Sequence, residues 1–286
     1  MQLNIVSAAR HMTETVPAQA LTDDLLYYSC LAYSSHVMVL QGLLDPSLES
    51  DYHDKAINLL IPMLSQDPGT WSRGTIVATT VILRMSEQFS ELGDDGQYHL
   101  NGAFSVFAAA GRRWSPYQTD LEGVSLWIYL RECIRICFLG EQSTHCDLSI
   151  LDDESLFKPA PDEVWTNRMT LIIAKLCNVL WAGALPSPRD CRLAEVRRLL
   201  DEWELLLPPS FQPLAHVQVE NEPFPIIHYL ATWHGKCKIS MSQFKIDTTA
   251  VIGWQFYYTA RVMLAVYGSV TDRVGILGAT RHLEVT

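Results

Sequence analysis

Apolar residues recur at helical spacing along almost the whole chain, and this pattern limits the fold more than any other feature. The segment Thr70–Phe89 is apolar nearly all round a helix, which is typical of a helix in the centre of a bundle. Thr22–Asp23–Asp24 is a capping sequence for a helix that should end near Gly42. No segment gives a confident strand. We therefore predict an all-α multi-helix bundle with about nine to ten helices.

Turn residues and amphipathic patterns predict where individual helices and loops lie in the chain. Asp45–Pro46 marks a turn before a helix from about Glu49, which Pro62 should kink or end. The polar stretch Asp147–Pro161 is the best candidate for an internal linker or a long surface loop. A helix over 189–207 should bury its apolar side: Leu193, Val196, Leu199, Leu200 and Trp203. We predict a lead-in over residues 1–21, one helical domain over 22–268 and a tail over 269–286.

The charge of the chain argues against direct contact with nucleic acid. Among 286 residues, 32 are acidic and 21 basic, which gives a formal net charge of −11. Binding to phosphates needs clustered Lys and Arg, and the densest basic groups are two arginine pairs, Arg112–Arg113 and Arg197–Arg198. The acidic balance is either a solvated surface or a means of attracting a basic partner. No stretch reads as a signal peptide or a membrane span, so we expect a location in the nucleus or cytoplasm.

Sequence motifs of metal binding and catalysis are missing. The seven cysteines have irregular spacing, and Cys133 and Cys137 are better explained as small buried apolar residues than as metal ligands. The sequence has no His-x-x-x-His pair, no Gly-x-Ser-x-Gly, no phosphate loop and no dinucleotide-binding motif. We expect neither a metal nor a cofactor, and no conventional hydrolase, kinase or dehydrogenase.

Five short segments together resemble a known family. In chain order they are Thr75–Arg84 (TIVATTVILR), His99–Ala103 (HLNGA), Leu126–Glu132 (LWIYLRE), Trp165–Met169 (WTNRM) and Trp203–Pro213 (WELLLPPSFQP). Their order and separations resemble the helical regulatory domain, or middle homology region, of fungal zinc-cluster transcription factors. The resemblance covers roughly 21–267 and implies an all-helical regulatory domain.

Three features depart from the family pattern. The six-cysteine zinc cluster and its basic linker have no room before Thr22. A polar stretch, Gly235–Ala250, interrupts an aromatic helical region, and it is either an insertion loop or translated intron sequence. The chain ends at Thr286, whereas the family domain continues with further helices beyond the equivalent of Tyr267. A bundle that lacks its final helices should expose an apolar face, which could serve for dimerisation.

Five residues are candidates for lining a ligand cavity between the helices: Tyr28, His36, His99, Trp127 and Arg131. Aromatic rings with a few polar tips are typical of small-molecule sites, but ordinary core packing explains the same rings. The histidines could equally be core residues with hydrogen-bond partners. Arg131 could hold the carboxylate of a ligand, or pair with an acidic neighbour such as Glu87 or Glu132.

Two functions fit these features. The resemblance implies a regulator of the transcription-factor type that has no DNA-binding module and acts through a protein partner, a homodimer or a sensed apolar small molecule. We expect a link with a secondary-metabolite gene cluster. The alternative is a cofactor-free enzyme of natural-product biosynthesis, of the cyclase or pericyclase type. It would fold a reactive molecule by shape, exclusion of water and a few hydrogen bonds.

Overall fold

The computed structural model describes residues 6–66, 73–87, 98–109, 111–144, 146–152, 156–181, 189–217, 226–229 and 248–267. These residues form nine α-helices, which confirms the prediction of an all-α bundle. The helices are α1 (Thr15–Ala20), α2 (Asp24–Leu40), α3 (Pro46–Leu64), α4 (Arg73–Glu87), α5 (Tyr98–Ala109), α6 (Leu121–Gly140), α7 (Asp162–Trp181), α8 (Arg189–Leu206) and α9 (Thr248–Tyr267).

One short strand pair accompanies the helices. The strands β1 (Pro213–Val217) and β2 (Ile226–Tyr229) pair antiparallel, with a shift in register between Pro213 and Ala215. We predicted no strand in this part of the chain, because the five residues of β1 are too few for a clear alternation of polar and apolar side chains.

The chain divides into two compact units. The first comprises Met1–Ile136 and Thr144–Ser155, and the second comprises Cys137–Ser143 and Leu156–Thr286. The change of unit after Ser155 falls inside the stretch expected to be a linker or loop. The first unit therefore contains α1 to α5 and most of α6, and the second contains α7 to α9 and the strand pair.

In the first unit, aspartate caps begin α2 and α3. Asp23 accepts a hydrogen bond from the backbone N–H of Leu26 at 3.1 Å, and Asp45 accepts one from that of Ser47 at 2.8 Å. Pro46 occupies the first turn of α3, where its missing N–H costs nothing, so α3 begins three residues before the expected Glu49. Pro62 lies inside the last turn, and the helix ends two residues later.

The helix α4 lies in the interior, as the sequence predicted. Every residue from Thr75 to Ser86 is buried. Two hydrogen bonds join α4 to the start of α2: Thr75 Oγ1 donates to Asp23 Oδ2 at 3.2 Å, and Ser29 Oγ donates to Thr79 Oγ1 at 3.4 Å. One carboxylate, that of Asp23, thus both caps α2 and fixes its position on α4.

In the second unit, aromatic rings hold α8 and α9 together. Trp203 lies 5.5 Å from Trp254 and from Tyr257, between ring centroids, and Trp254 Nε1 donates to the carbonyl of Phe211 at 2.8 Å. Gly253 permits this close approach, because an added Cβ would lie 2.9 Å from the Phe211 ring. The five apolar residues expected on the inner side of α8 are all buried.

Some sequence features lie outside the described residues. They are most of the polar stretch at 235–250 and the tail at 269–286. Among the described helices, none is long and apolar enough to cross a membrane.

Candidate functional site

A buried cluster of charges joins α4 to α6. Arg84 is almost fully buried, and its Nε and Nη2 donate to Glu132 Oε1 at 3.1 and 2.8 Å. Glu87 accepts from Arg84 Nη1 at 2.9 Å, and Glu132 also accepts from Arg135 Nη2 at 2.6 Å. Both acidic residues that we considered as partners of Arg131 therefore contact Arg84. The cluster holds two helices together and offers no free carboxylate for chemistry.

Two of the candidate residues, Trp127 and Arg131, lie one helical turn apart on α6. Trp127 is 1% exposed, and its indole N–H has no hydrogen-bond acceptor among the described residues. A buried N–H without an acceptor is costly, and it marks a place where a water or a ligand atom would be stabilised. Burial lowers the pKa of the neighbouring Arg131 to about 9. The Trp127 N–H is therefore a place in the described interior that can bind a polar ligand group.

Tyr28 and His36, on α2, have contacts with α3. His36 is buried, and its Nδ1 lies 2.6 Å from Glu49 Oε1. The Lys55 ammonium lies over the Tyr28 ring, 5.4 Å from its centroid. These contacts give both residues a role in joining α2 to α3, and neither contact involves α6.

The fifth candidate, His99, lies in the first turn of α5. Its side chain falls outside the described residues, so its place in a cavity stays a prediction. The structure thus places the candidates on three helices of the first unit. Two of them face α3, and two share one side of α6.

Buried thiols account for further polar contacts of α6. In the first unit, burial and the nearby thiols of Cys133 and Cys146 raise the pKa of Tyr129. In the second unit, the Cys137 and Cys177 thiols form a hydrogen bond, which lowers the pKa of Cys137 and raises that of Cys177. No group of three or more His, Cys, Asp or Glu in the described part of the chain is arranged to hold a metal ion.

A surface feature that the sequence analysis missed lies on α2 and α3. Among the described residues, fifteen large apolar side chains are exposed, and nine of them lie between residues 21 and 64. We call these nine the α2–α3 surface: Leu21, Tyr27, Met38, Leu40, Leu43, Leu48, Leu59, Ile61 and Leu64. These exposed apolar side chains are concentrated in a short part of the chain, which makes this part a candidate for contact with another molecule.

The α2–α3 surface is also acidic. Residues 21–64 contain six carboxylates and one lysine, which gives a net charge of −5 with His neutral. Asp51, Asp54 and Ile61 lie on the same outward face of α3, at helical spacing, and all three are exposed. The periodicity of α3 could have revealed this surface, because 57–64 is apolar on every side and only Leu60 within it is buried.

Compared with models of protein families, with curated proteins and with solved structures, the chain matches none. Its function therefore has to be inferred from its own residues.

Proposed function

We propose that this chain is a regulatory protein of the transcription-factor type that acts through a protein partner, in the nucleus or cytoplasm of a fungus. The partner supplies contact with DNA, because a chain of net charge −11 is poorly suited to bind phosphates itself. The sequence resemblance to the regulatory domain of zinc-cluster factors supports this proposal, as does the all-helical fold. A link with a secondary-metabolite gene cluster belongs to the same proposal.

The α2–α3 surface is the observation that carries the proposal. In the interior, the charged side chains of Arg84, Glu87 and Glu132 are used to hold helices together. At the surface, by contrast, large apolar side chains are left partly in water, where they contribute less to folding than buried ones. A protein with matched interior charges and an exposed apolar area is better equipped to bind a macromolecule than to carry out chemistry.

A reporter assay tests this proposal. The full chain is fused to a heterologous DNA-binding domain in a fungal host whose reporter gene carries the matching operator. We expect reporter expression to change at least threefold relative to the DNA-binding domain alone. The fused Glu132→Ala variant, whose fold should be destabilised, tests whether the effect depends on a stably folded chain. An unchanged reporter with a stably expressed fusion would contradict the proposal.

The second candidate function is a cofactor-free cyclase or pericyclase, and the geometry of Trp127 favours it. Its buried indole N–H can donate to a substrate oxygen and stabilise negative charge that develops there. Arg131 lies one turn along α6, and a site of this kind acts without a metal or a cofactor. The substrate would be an apolar small molecule with an oxygen acceptor.

Native mass spectrometry distinguishes the two functions. The recombinant protein is incubated with an extract of the source organism, and bound masses and converted products are recorded. If the chain is an enzyme, wild type should bind a molecule from the extract and convert it. Trp127→Phe and Arg131→Met should lose both binding and conversion, and Tyr28→Phe, on α2, should retain both. If no small molecule is bound to wild type or to any variant, the enzymatic function is contradicted and the regulatory function remains.

A further inference from the structure

We propose that the α2–α3 surface docks a basic amphipathic helix of a partner protein. This inference rests on the proposed function, because it names the chemistry of the partner through which the regulator acts. The proposal concerns the end of α3 above all, where Ile61 and Leu64 are exposed one turn apart on one side of the helix and Leu59 is exposed on the other side.

The apolar part of the surface requires an apolar partner. Residues 57–64 form two turns of α3 that carry apolar side chains in nearly every position, and a helix of this kind is normally covered. Antiparallel α2 and α3 present side chains of two packed helices, and such a surface accepts a third helix through its i, i+3, i+4 and i+7 side chains. The partner segment is therefore helical, with one apolar face.

The charge of the surface decides between a second copy and a different partner. In a homodimer through this side of α3, the exposed carboxylates of Asp51 and Asp54 would face those of the second copy, and like charges at an interface are costly. Asp51 and Asp54 lie on the same face of α3 as Ile61, so a bound helix needs basic residues beside its apolar ones. The only lysine of this segment, Lys55, already lies over the rings of Tyr28 and Tyr52.

The same charge argues against a lipid surface. An anionic membrane attracts basic amphipathic helices, whereas the exposed carboxylates of α3 would be repelled by it. A helical protein segment with one apolar face and with Lys or Arg beside it matches both the apolar side chains and the acidic charge of the surface.

A pair of synthetic peptides tests the proposal with the full chain. The probe is an 18-residue helix of Leu and Lys with Leu at i, i+3, i+4 and i+7, and the control replaces each Lys with Glu. We expect the Leu/Lys peptide to bind at least tenfold more tightly than the Leu/Glu peptide in a fluorescence anisotropy titration. Raising the salt concentration should reduce this difference, since exposed charges are screened.

Two matched triple variants locate the binding. Leu59→Ser, Ile61→Ser and Leu64→Ser change side chains that are 37, 57 and 42% exposed, whereas Val251→Ser, Val262→Ser and Leu206→Ser, on α8 and α9, change side chains that are 38, 59 and 43% exposed. We expect the first triple variant to weaken Leu/Lys peptide binding at least tenfold and the second to change it less than twofold. Asp51→Asn with Asp54→Asn should weaken it at least threefold. Circular dichroism must show the same helix content in every variant.

Three results would overturn the proposal. The first is equal loss of binding in the two triple variants, which would mean unspecific attraction to any exposed apolar side chain. The second is a dimer of wild type, measured by analytical ultracentrifugation, that the α3 triple variant dissociates. The third is binding of wild type to phosphatidylcholine vesicles in place of the peptide. A chain that binds the peptide as expected but leaves the reporter unchanged retains the docking surface and contradicts only the regulatory function.

Discussion

The helices α3 and α4 have similar apolar residues but opposite surroundings. In α4 every residue from Thr75 to Ser86 is buried, whereas α3 buries only Ala56 and Leu60 along its 19 residues. The difference shows that apolar content alone does not place a helix in the core. A helix is buried when neighbours pack on all its sides, and the exposed sides of α3 are available to another molecule.

Charged residues follow the same division. The Arg84 guanidinium of α4 is enclosed by the carboxylates of Glu87 and Glu132. Because a buried charge is tolerated only with such partners, the cluster stabilises the α4–α6 contact only while it is complete. On α3, Asp51 and Asp54 remain in water, where they cost nothing and attract opposite charge.

The largest effect should come from breaking the buried cluster. Glu132→Ala leaves the guanidinium of Arg84 buried without the Glu132 carboxylate. We therefore expect the free energy of unfolding to fall by about 3–5 kcal/mol. Glu49→Ala, which removes the partner of His36 from α3, should cost about 1 kcal/mol. Urea unfolding followed by circular dichroism measures both. Equal losses would mean that α3 is held as firmly as α4.

A matched pair of isoleucines sharpens the comparison. Ile76 of α4 is fully buried and Ile61 of α3 is 57% exposed. Ile76→Ala should lower the free energy of unfolding by about 2–4 kcal/mol, through lost apolar contacts and a cavity. Ile61→Ala should change it by about 0.5 kcal/mol or less. A large loss at Ile61 would show that the end of α3 is covered in solution by the chain itself, and would count against a docking surface.

A smaller effect is expected at the junction of α2 and α4. Asp23→Ala removes the cap of α2 and the acceptor of Thr75, so we expect a loss of about 1–2 kcal/mol. Thr75→Val removes only the second bond and should cost less than Asp23→Ala. If the two variants are equally destabilised in thermal unfolding, the cap contributes nothing.

The smallest effect concerns the start of α3 and depends on pH. Hydrogen bonds from Ser47 lower the pKa of Asp45 in the folded protein. The stabilisation is therefore complete above the pKa of the unfolded chain and is lost as the pH falls through the lower folded value. Asp45→Asn keeps an uncharged cap, so its stability should fall less steeply in acid than that of wild type. Parallel acid profiles, measured by thermal unfolding from pH 6 to pH 2, would contradict this role.

Local sequence patterns were sufficient for much of the fold. The cap at Asp23, the end of α2 before Gly42, the buried α4 and the inner side of α8 all follow from capping residues or helical periodicity within one segment. The helix α3 begins three residues earlier than its turn residues predict, because Pro46 suits the first turn of a helix as well as a turn.

The candidate site was less accessible to sequence reasoning. The five chosen residues lie on three helices, and their periodicity showed which sides face inward but not which helices meet. The predicted pairing of Glu132 with Arg131, one residue away, stays a prediction, and the contact of Glu132 with Arg84, 48 residues away, was not foreseen. Spacing along one helix carries no information about such a partner.

The sequence by itself determined where several helices begin and end, which sides of them are apolar, and a charge that disfavours nucleic acid. The helix limits and the apolar sides depend on residues within a few positions of one another, and the net charge is a sum over the composition. Only the tertiary structure decided that Arg84 and Glu132 pair, that Trp127 keeps a buried N–H without an acceptor among the described residues, and that the apolar end of α3 stays exposed. The reason is that burial and pairing depend on which distant helices pack together, and many packings satisfy the same local pattern.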